Sequence, residues 1–399
     1  MKKYLIIAAV ALVASAACTK VETDETPAKK ISFQIASYST QTRAAEDPVE
    51  LTETTSFSSK AWLHANGTTG TDFFGTSSNN WTETISRNPS TESSSYTWEP
   101  SLEYFWPKAS NSYINFISWF ATNSKNPTIP DETHMNWGTA ESPLIIASND
   151  NFLFADEAWR FNDNRTSTYS NKVSEGVPTL FHHALAKVQF DIQLATDQTP
   201  TTKTVWDVVV TSASLTIGKK GYLPLVNSDP SSSNTTRAWS VGTTYSSEAA
   251  NAATSANVGW TAVSTGENAT ETISSFETPT LTLAPKDASS LTSGTAVAFL
   301  AERVVMPQAL SGSAFTMAFQ IKIYHATNGV KDGAAYSTEN ITVSSASLAS
   351  LVTTIPSWKM NTVYTYTIKI DPVGKTIKFD PAVAEWATDS GEKEVYSAN

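Results

Sequence analysis

The chain has 399 residues, with 27 Lys and Arg against 38 Asp and Glu, so its formal net charge is −11 at pH 7. This acidic balance excludes nucleic acid and anionic lipid surfaces as preferred partners, because both carry negative charge. Cys18 is the single cysteine, which excludes an intramolecular disulfide, and the fold must therefore be stabilised by packing alone.

Residues 1–17 have the pattern of a signal peptide. Lys2 and Lys3 precede an apolar stretch at 4–13, and small residues at 14–17 lead to Cys18. The apolar stretch is too short to span a membrane. The segment Ala16-Ala17-Cys18 resembles a lipoprotein cleavage site, which predicts a lipid anchor on Cys18 as the protein's membrane attachment. An ordinary cleaved signal with an incidental cysteine is the alternative.

The first predicted strand follows a polar, acidic segment at 18–30, which we interpret as a flexible tether. Ile31, Phe33 and Ile35 alternate with smaller or polar residues and predict a strand at 31–38. Residues 39–48 then lack apolar periodicity and end in a proline, which predicts the end of the strand ladder.

Further strands are predicted wherever apolar residues alternate or form short runs between Gly, Ser, Asn and Pro. They lie at 61–65, 96–99, 113–120, 152–155, 188–194, 205–217, 280–283, 297–305, 315–324 and 364–370, with one more near the end of the chain. The segment 227–272 is rich in Ser, Thr, Asn and Ala, with isolated Trp239 and Trp260. It predicts a long surface excursion with room for a hairpin of its own.

This pattern predicts an all-β protein. About seven strands fall on each side of residue 176, with little helical periodicity, which favours two tandem β-sandwich domains of immunoglobulin-like architecture. The predicted ranges are 31–176 for the N-terminal domain and 177–399 for the C-terminal domain.

The usual signatures of an active site are not found in the sequence. It has no G-x-S-x-G, H-E-x-x-H, Walker or C-x-x-C motif. His182 and His183 are adjacent, so on a strand they face opposite sides and cannot share a metal. His64, His134 and His325 are isolated. We predict no enzyme activity, no metal site and no cofactor.

Carboxylates are concentrated around one short strand, at Asp150, Asp156, Glu157 and Asp163. A pair of them could flank a glycosidic bond, as in a glycoside hydrolase, and several could bind calcium through oxygen ligands. Their spacing fits neither signature. The favoured interpretation is a set of solvated loop ends.

The chain contains 12 tryptophans and 13 tyrosines. Exposed in a row, they would stack on sugar rings and indicate a glycan-binding outer-membrane surface lipoprotein, whereas buried they are large core residues. Trp106, Trp358 and Trp386 lie at strand ends or next to proline, which favours burial for most of them.

Five sets of short segments carry a family resemblance when they are taken in order. They are ISF at 31–33 with TRA at 42–44, YFWP at 104–107 with INF at 114–116, NFLFA at 151–155, LFHHALAKV at 180–188, and WKMNTVYTY at 358–366 with Trp386. Together they extend along the whole chain. The sequence thereby resembles the fimbrillin family, the type V pilus subunits and fimbrillin-like lipoproteins of Bacteroidales.

The resemblance implies two transthyretin-like sandwich domains and a place at the cell surface, as an outer-membrane lipoprotein or in a fimbrium. Cys18 matches the lipidated cysteine, which carries palmitate. Arg43 matches the residue after which an arginine-specific protease cuts, leaving Ala44 as the new N-terminus.

The resemblance also implies assembly by strand exchange. The strand of Ile31, Phe33 and Ile35 is the one displaced, and a strand of another fimbrial subunit, identical or paralogous, fills the vacated groove. The candidate donor residues near the end of the chain are Ile377, Phe379, Val383 and Trp386. The expected function is a structural fimbrial subunit or an adhesin, the latter with a ligand on a host or bacterial surface, and the glycan-binding lipoprotein is the alternative.

Overall fold

The structure is a computed structural model that describes residues 30–37, 56–65, 69–89, 96–107, 112–161, 176–196, 202–227, 236–237, 239–241, 259–285, 295–386 and 396–397. Cys18, Arg43 and Ala44 lie outside these residues, so lipidation and processing stay predictions. No helix in the described part of the chain has the length and apolar content needed to cross a bilayer.

Nearly every element is a strand, which confirms the all-β prediction. The first twelve are β1 (Phe33–Ser37), β2 (Ser56–His64), β3 (Thr71–Asp72), β4 (Glu83–Pro89), β5 (Tyr96–Pro100), β6 (Tyr113–Ala121), β7 (Thr128–Asp131), β8 (His134–Trp137), β9 (Leu144–Ile145), β10 (Phe152–Ala155), β11 (Glu157–Phe161) and β12 (Val177–His183). A short 3-10 helix, Ser77–Asn79, precedes β4.

The second half continues in the same way. Its strands are β13 (Ala186–Leu194), β14 (Thr204–Gly218), β15 (Lys220–Val226), β16 (Thr236–Arg237), β17 (Ser240–Val241), β18 (Thr261–Ala262), β19 (Thr270–Ile273), β20 (Thr280–Leu283), β21 (Val297–Val305), β22 (Ala314–Thr327), β23 (Val330–Lys331), β24 (Ser337–Ala346), β25 (Thr362–Asp371), β26 (Thr376–Glu385) and β27 (Tyr396–Ser397). The short helices are the 3-10 helix Leu310–Gly312 and α1 (Leu348–Leu351).

The first sheet has ten strands in the order β16-β11-β6-β10-β12-β1-β5-β4-β2-β3, and β6 also pairs with β2. The extra pairing closes the seven strands from β6 to β2 in this order into a ring. The enclosed apolar cluster, here called the N-terminal core, includes Phe57, Phe74, Phe116 and Phe181.

The C-terminal half is a sandwich of two sheets. One has the order β21-β13-β25-β26-β27, and the other is built on β14 and β22. Side chains from both sheets meet in one apolar cluster, here called the C-terminal core, which includes Phe190, Phe315, Trp358 and Tyr366. This is the arrangement expected of two sheets packed face to face.

A third apolar cluster, here called the junction core, combines residues of both halves, among them Trp137, Phe152, Leu223 and Trp260. A further sheet of order β17-β15-β8-β7 crosses the same region. Strand β12 belongs to the first sheet, so the chain passes to the second sheet just after residue 183. The two domain ranges themselves remain a prediction.

The interpretation of 227–272 as a surface excursion is wrong for its two tryptophans. Trp239 and Trp260 are both buried in the junction core. The indole nitrogen of Trp239 donates to the carbonyl of Ala155 at 2.8 Å, and that of Trp260 donates to the carbonyl of Ala184 at 2.6 Å. The short strands described here pair with β11, β14 and β15 instead of forming a hairpin of their own.

The C-terminal core contains two buried tyrosines, Tyr364 and Tyr366, which predict that the protein loses stability at alkaline pH. Burial raises the pKa of Tyr364 to about 12, from an ordinary value of 10.0, and burial also raises the pKa of Tyr366. Because the unfolded chain ionises these phenols first, the free energy of unfolding should fall by about 2 kcal/mol for Tyr364 as the pH rises from 10 to 12.

Absorbance at 295 nm and urea unfolding, measured at each pH, check this expectation. The Tyr364→Phe variant should lose less stability than the wild type over that interval. Complete tyrosine ionisation near pH 10 in a protein that stays folded would contradict it.

Candidate functional site

Strand β1 lies inside the first sheet, between two other strands. It pairs in parallel with β12 over five residues, from Phe33 with Val177 to Ser37 with Phe181. On its other side Phe33 pairs with Trp98 of β5, and the N–H of Ile31 donates to the carbonyl of Tyr104 at 2.8 Å. Removing β1 would therefore leave a slot with strand edges on both sides, here called the β1 slot.

The side chains of β1 and of the two residues before it alternate as the sequence predicts. Ile31, Phe33 and Ile35 are buried at 2 to 4% exposure in the N-terminal core, and Gln34 is exposed. The Phe33 ring meets the Phe57 and Phe116 rings edge-on, each at 5.6 Å between centroids. Their burial is observed, whereas their role as a displaced strand stays a prediction.

Lys30 and Gly176, whose roles the sequence does not predict, lie at the entrance of the β1 slot. Lys30 forms an exposed ion pair with Glu103 and a β-bridge with Phe105. On the β12 side Gly176 has φ +88°, and a Cβ there would lie 3.2 Å from the backbone N of Gln34. A glycine is required at this close approach, and its position at the end of the predicted N-terminal domain, 31–176, is the one signal in the sequence.

Strand β26 carries three of the four candidate donor residues. It pairs with β25 over ten residues, and within the described chain its other side meets only the two-residue β27. Ile377, Phe379 and Val383 are half-buried against the C-terminal core, with Phe379 edge-on to Phe315 at 5.5 Å. β26 is therefore the outermost long strand of its sheet.

Trp386 lies apart from the other candidate donor residues, in the junction core. Its ring stacks on His183 at 3.6 Å between centroids, and the Lys187 ammonium lies 4.4 Å from the centroid of the Trp386 ring. The backbone N–H of Trp386 donates to the carbonyl of Asn361 at 2.8 Å. The predicted burial of Trp386 is confirmed, and its donor role stays a prediction.

The two adjacent histidines make separate contacts. His182 pairs with Asp156 at 3.1 Å, and His183 contacts the side-chain oxygen of Asn151 at 3.1 Å. Burial, followed by the charge of Lys187, holds the pKa of His183 well below its usual range. Within the described residues no group of three or more His, Cys, Asp and Glu side chains is arranged to hold a metal ion.

The interpretation of the carboxylates as solvated loop ends is wrong for two of them. Asp150 is buried and accepts hydrogen bonds from Lys125 at 2.6 Å and from the N–H of Ala147 at 2.7 Å. Glu157 is also buried and accepts from Asn227. Asp163 lies outside the described residues. Asp150, Asp156 and Glu157 thus have different partners, which is the pattern of structural ion pairs and hydrogen bonds.

Most tryptophans are core residues, as predicted: of the eleven whose side chains the structure describes, ten are buried, among them Trp106 and Trp358. In the described chain the large aromatic side chains exposed to solvent are Phe105 and Tyr336. Phe105 lies beside the β1 slot and Tyr336 stacks on His325 at 4.2 Å. These two do not form the exposed row of aromatics that the glycan-binding alternative requires.

The chain is similar to solved structures at low identity. One is a fimbrial protein from Bacteroides vulgatus, 14% identical, with 89% of this chain and 99% of that chain covered and a TM-score of 0.48. Another is a proposed cell adhesion protein from Parabacteroides distasonis, 12% identical, with 92% and 98% covered and a TM-score of 0.41. A third, from Bacteroides uniformis, is 13% identical, with 90% and 98% covered and a TM-score of 0.38.

No protein-family model matches the sequence, and no curated protein does so either. The three structures named above are thus one fimbrial protein and two proposed cell adhesion proteins of Bacteroidales.

Proposed function

We propose that the chain is a subunit or adhesin of a cell-surface fimbria and that it assembles when β1 is replaced by a strand of another subunit. The observation that supports this most directly is the place of β1, buried between β12 and β5 at the N-terminal end of the fold. β2 begins only at Ser56, so one cut after Arg43 would separate β1 covalently from everything that follows it.

Loss of β1 would leave the N-terminal core open. The facing edges of β12 and β5 would present unpaired N–H and C=O groups, beside the apolar holes that Ile31, Phe33 and Ile35 had filled. Refilling three such holes recovers roughly 5 to 8 kcal/mol, at about 1.5 to 3 kcal/mol per side chain. A strand added between the two edges also restores both ladders, which is β-augmentation.

The beginning of β26 has apolar residues at the same spacing as the segment that begins at Ile31. Ile377-Lys378-Phe379 has the same apolar spacing as Ile31-Ser32-Phe33. We therefore place Ile377 in the hole of Ile31 and Phe379 in the hole of Phe33. Pro381 takes the place of Ile35 and has no N–H to donate, so the match is strongest over the first three residues.

The position of β26 in its own sheet favours it as the donor. Its departure breaks one long ladder, the one with β25, whereas β13 and β25 each take part in two. Donor and acceptor lie at opposite ends of one chain, so the contact is heterologous and continues as a filament. A subunit whose β26 stays in place would serve instead as a cap, anchor or tip.

The remaining parts of the proposal rest on the sequence motifs. Cys18 would carry the lipid that anchors the precursor to the outer membrane, and an arginine-specific protease would release the mature chain at Ala44. The other partners would be further fimbrial subunits, identical or paralogous, and a surface ligand.

A pair of cysteines tests the register between subunits. With Phe379 in the hole of Phe33, Asp380 takes the position of Gln34, which pairs with Pro178 of β12. The cut removes Cys18, so the Pro178→Cys, Asp380→Cys variant has no other cysteine. Oxidised fibres of this variant should give a ladder of covalent multimers on a non-reducing gel.

The matched control combines Pro178→Cys with Thr376→Cys. Thr376 is exposed, four residues before Asp380 on the same strand, which displaces it by about 13 Å from the expected partner. This control should stay monomeric on the gel. Monomers from both variants would contradict the proposed register, and multimers from a Pro178→Cys, Lys378→Cys variant alone would indicate the reverse strand direction.

A further inference from the structure

A polar groove that strand exchange does not use lies on the N-terminal half, between β2, β3, β7 and the turn at 76–82. Its main part is a cavity of about 320 Å³ whose lining includes Lys60, Trp62, Asp72, Asn80, Trp81 and Thr128. A neighbouring cavity of about 250 Å³ shares Lys60 and Asn80 with it and adds the amides of Asn79 and Asn126. We call the two together the Trp81 groove.

Lys60 is a buried cation that lines both cavities. Its side chain is 6% exposed, and burial lowers its pKa. Among the described residues the ammonium makes one hydrogen bond, a long one of 3.4 Å to the carbonyl of Ile129. An ammonium has three donors, and leaving buried donors without acceptors is costly. The ammonium also lies 6.0 Å from the centroid of the Trp62 ring, and a ligand oxygen in the groove would give it a further acceptor.

Trp81 is presented to the groove by an unusual backbone turn. Asn80 and Trp81 both adopt left-handed conformations, with φ +52° and +55°. Such a φ is rare for a bulky residue, and strained backbone of this kind concentrates at functional sites. The turn is fixed by the hydrogen bond of 2.8 Å from the N–H of Trp81 to the carbonyl of Thr76.

The indole ring of Trp81 is available for a ligand. The side chain is half-buried, and within the described part of the chain it has no stacking partner, unlike the paired rings Trp137 and Phe152, whose centroids are 6.1 Å apart. A planar apolar ring beside convergent polar groups is the lining expected of a small-molecule site.

We propose that the Trp81 groove binds a saccharide, with a sugar ring on the Trp81 face and its hydroxyl groups on Lys60, Asp72 and Asn80. The groove offers donors on Lys60, acceptors on Asp72 and both on Asn80, which suits hydroxyl groups because each of them both donates and accepts. Lys60 and Asp72 carry opposite charges, so the groove favours a neutral ligand. Its volume fits a mono- or disaccharide.

The site is different in kind from an exposed row of aromatics, because one strained tryptophan does the stacking inside a groove. It uses neither β1 nor β26. Failure of strand exchange would therefore leave the proposal standing, and failure of saccharide binding would leave strand exchange standing.

The test is binding of the purified full chain to immobilised galactose, glucose, mannose, fucose, N-acetylglucosamine, N-acetylgalactosamine and lactose. We expect retention on at least one of these sugars, with affinity reduced at least tenfold by Trp81→Asn and by Lys60→Met. Asparagine tolerates the left-handed φ, so the first variant removes the ring and keeps the turn. Methionine keeps the apolar part of the Lys60 side chain.

The matched control is Tyr336→Ala, which removes an exposed aromatic ring elsewhere and should leave sugar binding unchanged. Melting temperatures of all variants, compared with the wild type, identify any loss of binding that is due to unfolding. Retention on none of the seven sugars, or equal retention of the wild type and both folded groove variants, would overturn the proposal.

Discussion

The Phe33→Ala variant is expected to lose about 3 to 5 kcal/mol of unfolding free energy, as is typical when a buried phenylalanine is truncated. Phe33 is 4% exposed and lies among the rings of Phe57, Phe74 and Phe116. No neighbouring backbone can collapse readily into the space, because β1 is held on both sides. Urea unfolding of the uncut chain, monitored by tryptophan fluorescence, measures the loss.

Gln34→Ala is the matched control for Phe33→Ala. Gln34 is the next residue on the same strand and is exposed, so its truncation should change the stability by less than about 0.5 kcal/mol. Similar small losses for both variants would mean that β1 does not contribute to the N-terminal core. The difference between the variants also estimates how strongly the Phe33 hole would hold a replacement side chain.

Arg43→Ala is expected to abolish fibre assembly completely in cells. Without the cut, β1 stays attached to its own domain, and a tethered strand refills the β1 slot at an effective concentration that a separate subunit cannot match. The variant should accumulate at the surface as an unassembled lipoprotein. Electron microscopy of cells and gels of sheared material provide the measurement.

Arg87→Lys serves as the control for Arg43→Ala. Arg87 lies in β4, where it pairs with Trp98, and the substitution also removes an arginine from the chain. This variant should assemble like the wild type. Normal fibres from Arg43→Ala cells would show that assembly does not need a cut at this position. They would also contradict the proposal that β1 must be released before another subunit's strand can enter the β1 slot.

Strands in which apolar and polar residues alternate regularly could be predicted from the sequence, because one face of each strand is buried. Tyr364, Tyr366, Ile368 and Ile370 of β25 are buried, while Thr365, Thr367 and Lys369 are half-exposed. Several strands with weaker patterns are not predicted, among them β4, β12, β15 and β24. β15 contains Gly221 and Pro224, and β24 alternates only between half-exposed and exposed positions.

The neighbours of β1 could not be predicted, because they come from distant parts of the chain. Alternation placed Ile31, Phe33 and Ile35 on a buried face, but the pairing of Phe33 with Val177 spans 144 residues and is parallel. Pattern alone does not specify which strands pair over such separations. The sequence therefore predicted an exchangeable strand without predicting the two-sided slot.

The partners of the buried carboxylates could not be predicted from the sequence either. The sequence predicts solvated positions for Asp150 and Glu157, because charged residues are seldom buried without a partner. Their partners, Lys125 and Asn227, lie 25 and 70 residues away in the sequence. Only the folded arrangement brings these pairs together and makes their burial possible.

The most direct measurement is the N-terminal residue and the intact mass of the chain in fibres sheared from cells. Release of β1 predicts a chain that starts at Ala44 and carries no lipid. Sheared fibres composed of chains that still begin at a lipidated Cys18 would contradict the account, because β1 would then still be covalently attached in every assembled subunit.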